Sequence, residues 1–291
     1  RLVDASTSLG KPSFVSSNRI RLVMKTSMNS LAVFFLLAAS GTAAEPADIA
    51  FRSEVDGTEQ RYIELLPDDG DVAQVRDVVI ALHGHGSDRR QFIYDARGEC
   101  KGVRDVARKH GLIVVAPDYR AKTSWMGPKA EADVVQIVAE LRRRHRIGRV
   151  FIAGGSMGGT SALIFAALHP ELIAGVCSLN GTANMLEYER FQDAVAASYG
   201  GGKAEVPEEY KKRSAELWPE RFTMPVAVTT GGRDEIVPPA SVLRLAEKLK
   251  QAKRPVLVIH RAEGGHSTSY EDTCAAMEFM LREADRKADE R

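Results

Sequence analysis

The chain has 291 residues, 44% of them apolar and 27% charged, with a formal charge of +1. That balance fits a globular fold and excludes disordered and fibrous classes, and mixed charge signs leave no basic face for nucleic acid. No run reaches the ~18 apolar residues of a spanning helix, and three cysteines without C-x-x-C spacing exclude zinc-finger and disulfide scaffolds.

Lys25 is the only charge between Met24 and Glu45, and Leu31–Ala39 is an unbroken apolar run. Small residues follow, Ser40-Gly41-Thr42-Ala43-Ala44. A basic start, a short apolar middle and a small-residue exit are the marks of a secretory signal peptide over 24–44, cleaved after Ala44. An exported protein, periplasmic or extracellular, is the expectation. Residues 1–23 begin with Arg1, are rich in Ser and carry no apolar period. They are expected to be an upstream extension of the reading frame, with Met24 as the start. What remains, 45–291, is expected to be one domain. Export permits a disulfide among Cys100, Cys177 and Cys274, although an odd count leaves at least one thiol outside any internal pair.

Within that domain, Ile49–Val55 and Arg61–Leu66 alternate apolar and polar residues, as half-buried strands do. Asp68-Asp69-Gly70 then marks a turn. Val78–Leu82, Leu112–Ala116, Val150–Ala153, Val226–Thr230 and Val256–Ile259 are apolar runs that suit strands buried on both faces. Helical patterns lie between and after them: Gly102–Lys109, Glu131–Arg144, Thr160–Leu168, Ser241–Leu249 and Cys274–Ala284. Val134, Ile137, Val138 and Leu141 mark one face of an amphipathic helix. Alternation of this kind predicts an α/β fold: a mostly parallel central sheet with helices on both faces. The long segment at about 183–222, with its charge run Glu208–Arg213, reads either as a small helical cap or as a solvated excursion.

Chemistry-bearing residues cluster at strand ends. Gly154-Gly155-Ser156-Met157-Gly158 follows one strand and precedes a helix, matching G-x-S-x-G with Ser156 as nucleophile. A serine hydroxyl needs an adjacent base. His266, in the loop Glu263-Gly264-Gly265-His266-Ser267, has glycines that let it turn toward Ser156; His260 ends a strand and lacks them. Asp234 follows the Val226–Thr230 strand, where a carboxylate would orient the imidazole. The order Ser156, Asp234, His266 is that of α/β-hydrolases. For the oxyanion, the backbone amides of Met157 and His85 are the expected donors. Trp125, Tyr188 and Trp218 are candidates for lining an acyl or alcohol pocket. His83-x-His85 with Asp88 opens like a metal cluster, but no further ligands follow, so neither metal nor other cofactor is expected.

Taken together, Asp118-Tyr119-Arg120, Trp125-Met126-Gly127, the Ser156 elbow, Gly231–Pro239 and Gly264–Thr268 resemble the catalytic domain of the prolyl oligopeptidase family, from about Val78 to Leu281. The resemblance implies a serine hydrolase with an α/β-hydrolase fold. Two departures accompany it. The family carries a Tyr at the position matching His85, and its peptidases usually carry an N-terminal β-propeller. The form without a propeller is similar to secreted esterases, so the expected substrate is a small or polymeric ester, with a peptide as the alternative. A catalytically silent α/β-hydrolase-fold binding module is the alternative of another class.

Overall fold

The computed structural model describes residues 45–68, 74–120 and 123–289. The expected leader, the upstream extension and the turn residues Asp69-Gly70 lie outside the described residues.

At one edge, β1 (Ala47–Arg52) and β2 (Glu59–Leu65) form an antiparallel hairpin. β2 also runs antiparallel to β4 (Ile113–Pro117). Beyond it every pairing is parallel, through β3 (Arg76–Leu82), β5 (Ile147–Gly155), β6 (Gly175–Leu179), β7 (Val226–Gly231) and β8 (Val256–Arg261). β6 is a strand that the apolar-run reading does not pick out. Its five residues, Gly-Val-Cys-Ser-Leu, are all buried but mostly small.

Burial on both faces explains the continuous apolar strands except β8, which lies at the sheet edge with Val256–Ile259 only half-buried. Val78, Ile80, Leu82, Val150, Ile152, Val226 and Val228 pack with α3 (Pro128–Arg144), α4 (Met157–Leu168) and α7 (Ala240–Gln251). The alternate residues Val79, Ala81, Val114, Phe151, Ala153 and Cys177 pack with α1 (Gln91–Tyr94), α2 (Gly98–Lys109) and α8 (Tyr270–Asp289). A one-residue slip in any of these strands would exchange its two faces. The amphipathic stripe of α3 is buried as its spacing predicts. No helix among the described residues is long and apolar enough to cross a membrane.

Between β6 and β7 the chain makes a helical excursion with α5 (Gln192–Tyr199), α6 (Pro207–Lys212) and two 3-10 turns, Ala215–Leu217 and Pro219–Arg221. Its charge run is not wholly solvated: Arg213 is 1% exposed and donates to Glu131 of α3 at 2.7 Å. Burial alone would raise the Glu131 pKa, but His169 and Arg213 outweigh it and hold the carboxyl down to about 2. All three cysteines are free thiols; burial pushes those of Cys100 and Cys177 up to about 12.

The strand order β1-β2-β4-β3-β5-β6-β7-β8 positions the site. The chain leaves β3 toward β4 and comes back to β5 on its other side. Such a reversal opens a crevice at the carboxyl ends of the two strands. Leu82 pairs with Gly154 there, so the His83–Ser87 loop stands beside Ser156.

Candidate active site

Ser156 forms the turn between β5 and α4 with φ 56° and ψ −118°, a strained backbone for a residue with a side chain. Its N–H donates to Leu179 O at 2.8 Å, and its carbonyl accepts from Thr160 N at 3.0 Å. Glycines permit the turn by close approach. A Cβ on Gly158 would lie 1.9 Å from Leu82 O, and one on Gly154 would lie 2.4 Å from the Gly158 carbonyl carbon. The amino end of α4 faces the serine, which favours negative charge there.

His266, in the loop between β8 and α8, joins two partners. Its Nε2 lies 2.8 Å from Ser156 Oγ, and its Nδ1 lies 2.6 Å from Asp234 Oδ2. Asp234 sits in the turn after β7, where its other oxygen accepts from the backbone N–H of Ile236 at 3.0 Å and of Val237 at 2.8 Å. The Asp234 side chain is 1% exposed. A buried carboxylate with three donors is fully satisfied, and it aims the imidazole at the hydroxyl. The rival His260 is hydrogen-bonded to Thr230 Oγ1 at 2.8 Å, and His169 to Glu131 at 3.1 Å.

Among the described residues, the backbone N–H groups of His85 and Met157 have no protein acceptor, which leaves both free for an oxyanion. Gln91 shapes the His85 loop by accepting from Gly84 N at 2.9 Å. The imidazole of His85 packs at a tilt against Phe191, with ring centroids 4.2 Å apart, and among the described residues its Nδ1 is buried without a partner. Burial lowers the His85 pKa, which favours the neutral ring.

A cleft of about 390 Å³ opens at Ser156, floored by Gly155 and walled by α2, the His83–Ser87 loop and the His266 loop. None of the three predicted pocket aromatics lines it. Trp125 is 0% exposed and lies behind His85, with ring centroids 6.0 Å apart. Tyr188 is buried against Trp125 and donates to Ile236 O at 3.2 Å. Trp218 is turned elsewhere, because its indole N–H caps the end of α6 at Lys211 O and its ring stacks on Arg221. Of the aromatic rings packed around His85 and Trp125, Phe191 is 38% exposed, in a left-handed conformation with φ 54°. Sequence reading also misses Glu99 and Asn180, both of which line the cleft. Asn180 had a signal: it follows the small-residue strand β6 and precedes Gly181 at the same sheet edge as Ser156.

The model of the prolyl oligopeptidase family matches residues 104–284. A relative, the uncharacterized peptidase YtmA of Bacillus subtilis (strain 168), is 30% identical over 157 residues, which is 50% of this chain and 61% of that one. The chain thus spans less than two thirds of that relative's length. An S-formylglutathione hydrolase from Agrobacterium tumefaciens superposes with a TM-score of 0.64 at 18% identity, covering 84% of this chain and 96% of that one. A puromycin-hydrolyzing peptidase of Mycobacterium tuberculosis superposes at 0.66 and 17% identity, covering 84% of this chain and 39% of that one. The sheet with helices on both faces is the α/β-hydrolase fold these structures share. With the family match extending over more than half of its length, the chain belongs to the prolyl oligopeptidase family.

Proposed function

We propose that the protein is an exported esterase acting by acyl transfer through Ser156, His266 and Asp234. The observation that carries this reading is the continuous chain of contacts from Asp234 through His266 to Ser156 Oγ. His266 Nε2 takes the hydroxyl proton as Oγ attacks the carbonyl carbon. The amides of Met157 and His85 receive the oxyanion, while Asp234 balances the charge on the imidazolium. His266 then protonates the leaving alcohol, and a water attacks the acyl-enzyme by the reverse sequence.

The ester reading draws on the likeness in fold to the formylglutathione hydrolase. The family and the Bacillus relative's name favour the peptidase alternative. Short acyl nitrophenyl esters assayed beside chromogenic dipeptides separate the two, and faster cleavage of the dipeptides would overturn the esterase reading. Ser156→Ala is expected to lower kcat by about 10⁶ and to abolish labelling by a fluorophosphonate. Retention of most activity would refute the assignment. Export is tested by the amino terminus of the secreted protein: Glu45 is expected, and a retained Arg1 would end that part of the proposal.

A further inference from the structure

The cleft beside Ser156 is chemically one-sided. Apart from glycines, its lining is Ser87, Gln91, Arg97, Glu99, Asn180, Ser267 and Thr268 together with His85, His266 and the serine itself. Among the described residues that line it there is no aliphatic side chain and no benzenoid ring. A pocket for a fatty or aromatic group would bury such surface, as most small-molecule sites do.

Two of these residues are left incomplete by the protein. Glu99, in the first turn of α2, lies against Gly155: a Cβ added to that glycine would be 3.4 Å from the carboxyl atoms of Glu99. The Glu99 side chain is only 14% exposed, and its nearest ionic neighbour is Arg97 Nη1 at 3.4 Å. Among the described residues its carboxylate accepts no hydrogen bond, and burial raises its pKa. A mostly buried carboxylate normally has donors around it. The second residue is Asn180, 5% exposed, whose Oδ1 accepts from the Thr268 hydroxyl. Its Nδ2 is buried without a partner.

The slot therefore offers an unmet acceptor, an unmet amide donor and a guanidinium. An ammonium ligand would satisfy only Glu99 and would be repelled by Arg97. Hydroxyl groups both donate and accept, so they meet all three. The slot also shares walls with the catalytic base, since Ser267 and Thr268 follow His266 directly. The group next to the base is the one that receives its proton, namely the leaving alcohol.

We propose that Glu99, with Asn180 and Arg97, forms a subsite for a polyhydroxylated leaving alcohol, so that the natural substrates are esters of sugars or polyols. This rests on the acyl-transfer reading above. The bond cleaved is the acyl carbon–oxygen bond; the alcohol leaves with the proton from His266 Nε2, and water supplies the oxygen of the released acid.

The test compares 6-O-acetylglucose with cyclohexylmethyl acetate, which share the acyl group, the primary ester oxygen and a six-membered ring but differ in hydroxyls. The readout is the ratio of their kcat/KM values, in which any common loss of chemistry cancels. Wild type is expected to favour the sugar ester at least about tenfold, Glu99→Gln to reduce the ratio and Glu99→Leu to bring it near one. A wild-type ratio of one or below, or a ratio unchanged in both variants, overturns the subsite. Should one variant fail to fold, the other still reports. Failure of the underlying reading looks different: Ser156→Ala would then cleave both esters, or the wild type would take no fluorophosphonate label.

Discussion

The turn after β7 and the first turn of α2 each hold a carboxylate beside the reactive serine, yet they leave those carboxylates in opposite conditions. Asp234 accepts from two backbone amides and touches His266 at 2.6 Å, so burial costs it little. Among the described residues Glu99 accepts no hydrogen bond, and Arg97 lies 3.4 Å from it. The first carboxylate is complete before any substrate arrives. Full pairing within the protein thus separates Asp234, which orients the base, from Glu99, whose side chain lines the cleft.

Substitutions that treat the two alike sharpen this contrast. The largest effect is expected from Asp234→Asn, which keeps the shape but presents an amide to donors that need an acceptor. A kcat loss of about 10⁴ is expected by steady-state kinetics, against a far smaller loss for Glu99→Gln on the same nitrophenyl ester. Equal losses would erase the distinction. Stability should diverge in sign as well. Asp234→Leu strands two amides and an imidazole and should cost about 3 kcal/mol or more, whereas Glu99→Leu removes a mostly buried carboxylate held by one ion contact at 3.4 Å and should gain about 1 kcal/mol. By thermal denaturation that gain corresponds to a Tm rise of about 2–4 °C.

The smallest effect is in pH dependence. Burial raises the folded pKa of Glu99 above its ordinary 4.5, so the folded state holds the proton more tightly. Stability from this group is therefore present at low pH and lost as pH rises from about 4.5 through the raised value. The Tm of Glu99→Gln should climb relative to wild type over that interval, and parallel curves would contradict the assignment. Glu131 acts in the opposite sense: its carboxyl, held down to about 2, loses stability as pH falls from 4.5 toward that value. Glu131→Gln should flatten the acid limb of the Tm profile.

Legibility in the sequence followed local chemistry. The strands carrying Val78–Leu82 and Val150–Ala153 stood out because burial on both faces demands unbroken apolar runs. Ser156 and His266 directly follow glycines and Asp234 comes two residues after Gly232, as sharp turns require, and their order along the chain can be read directly. β6 escaped because neighbours on both sides crowd it: a Cβ on Gly175 would lie 2.6 Å from Met280, so the strand is built from small residues. Glu99 was invisible for another reason. An acid in the first turn of a helix is the ordinary complement to the helix dipole, and only the fold brings Gly155 against it. Trp218 misled because an indole in a connecting segment looks available, although its N–H and ring face are both engaged.

The three unbridged sulfurs carry a consequence for handling. Two are sealed in the interior and so weakly acidic that almost none of either is thiolate at neutral pH, while Cys274 is only partly covered. The folded molecule owes nothing to oxidants or to an isomerase. Its fold should be equally stable in reducing and in air-saturated buffer, and a thiol reagent should count Cys274 first and the other two only after denaturation.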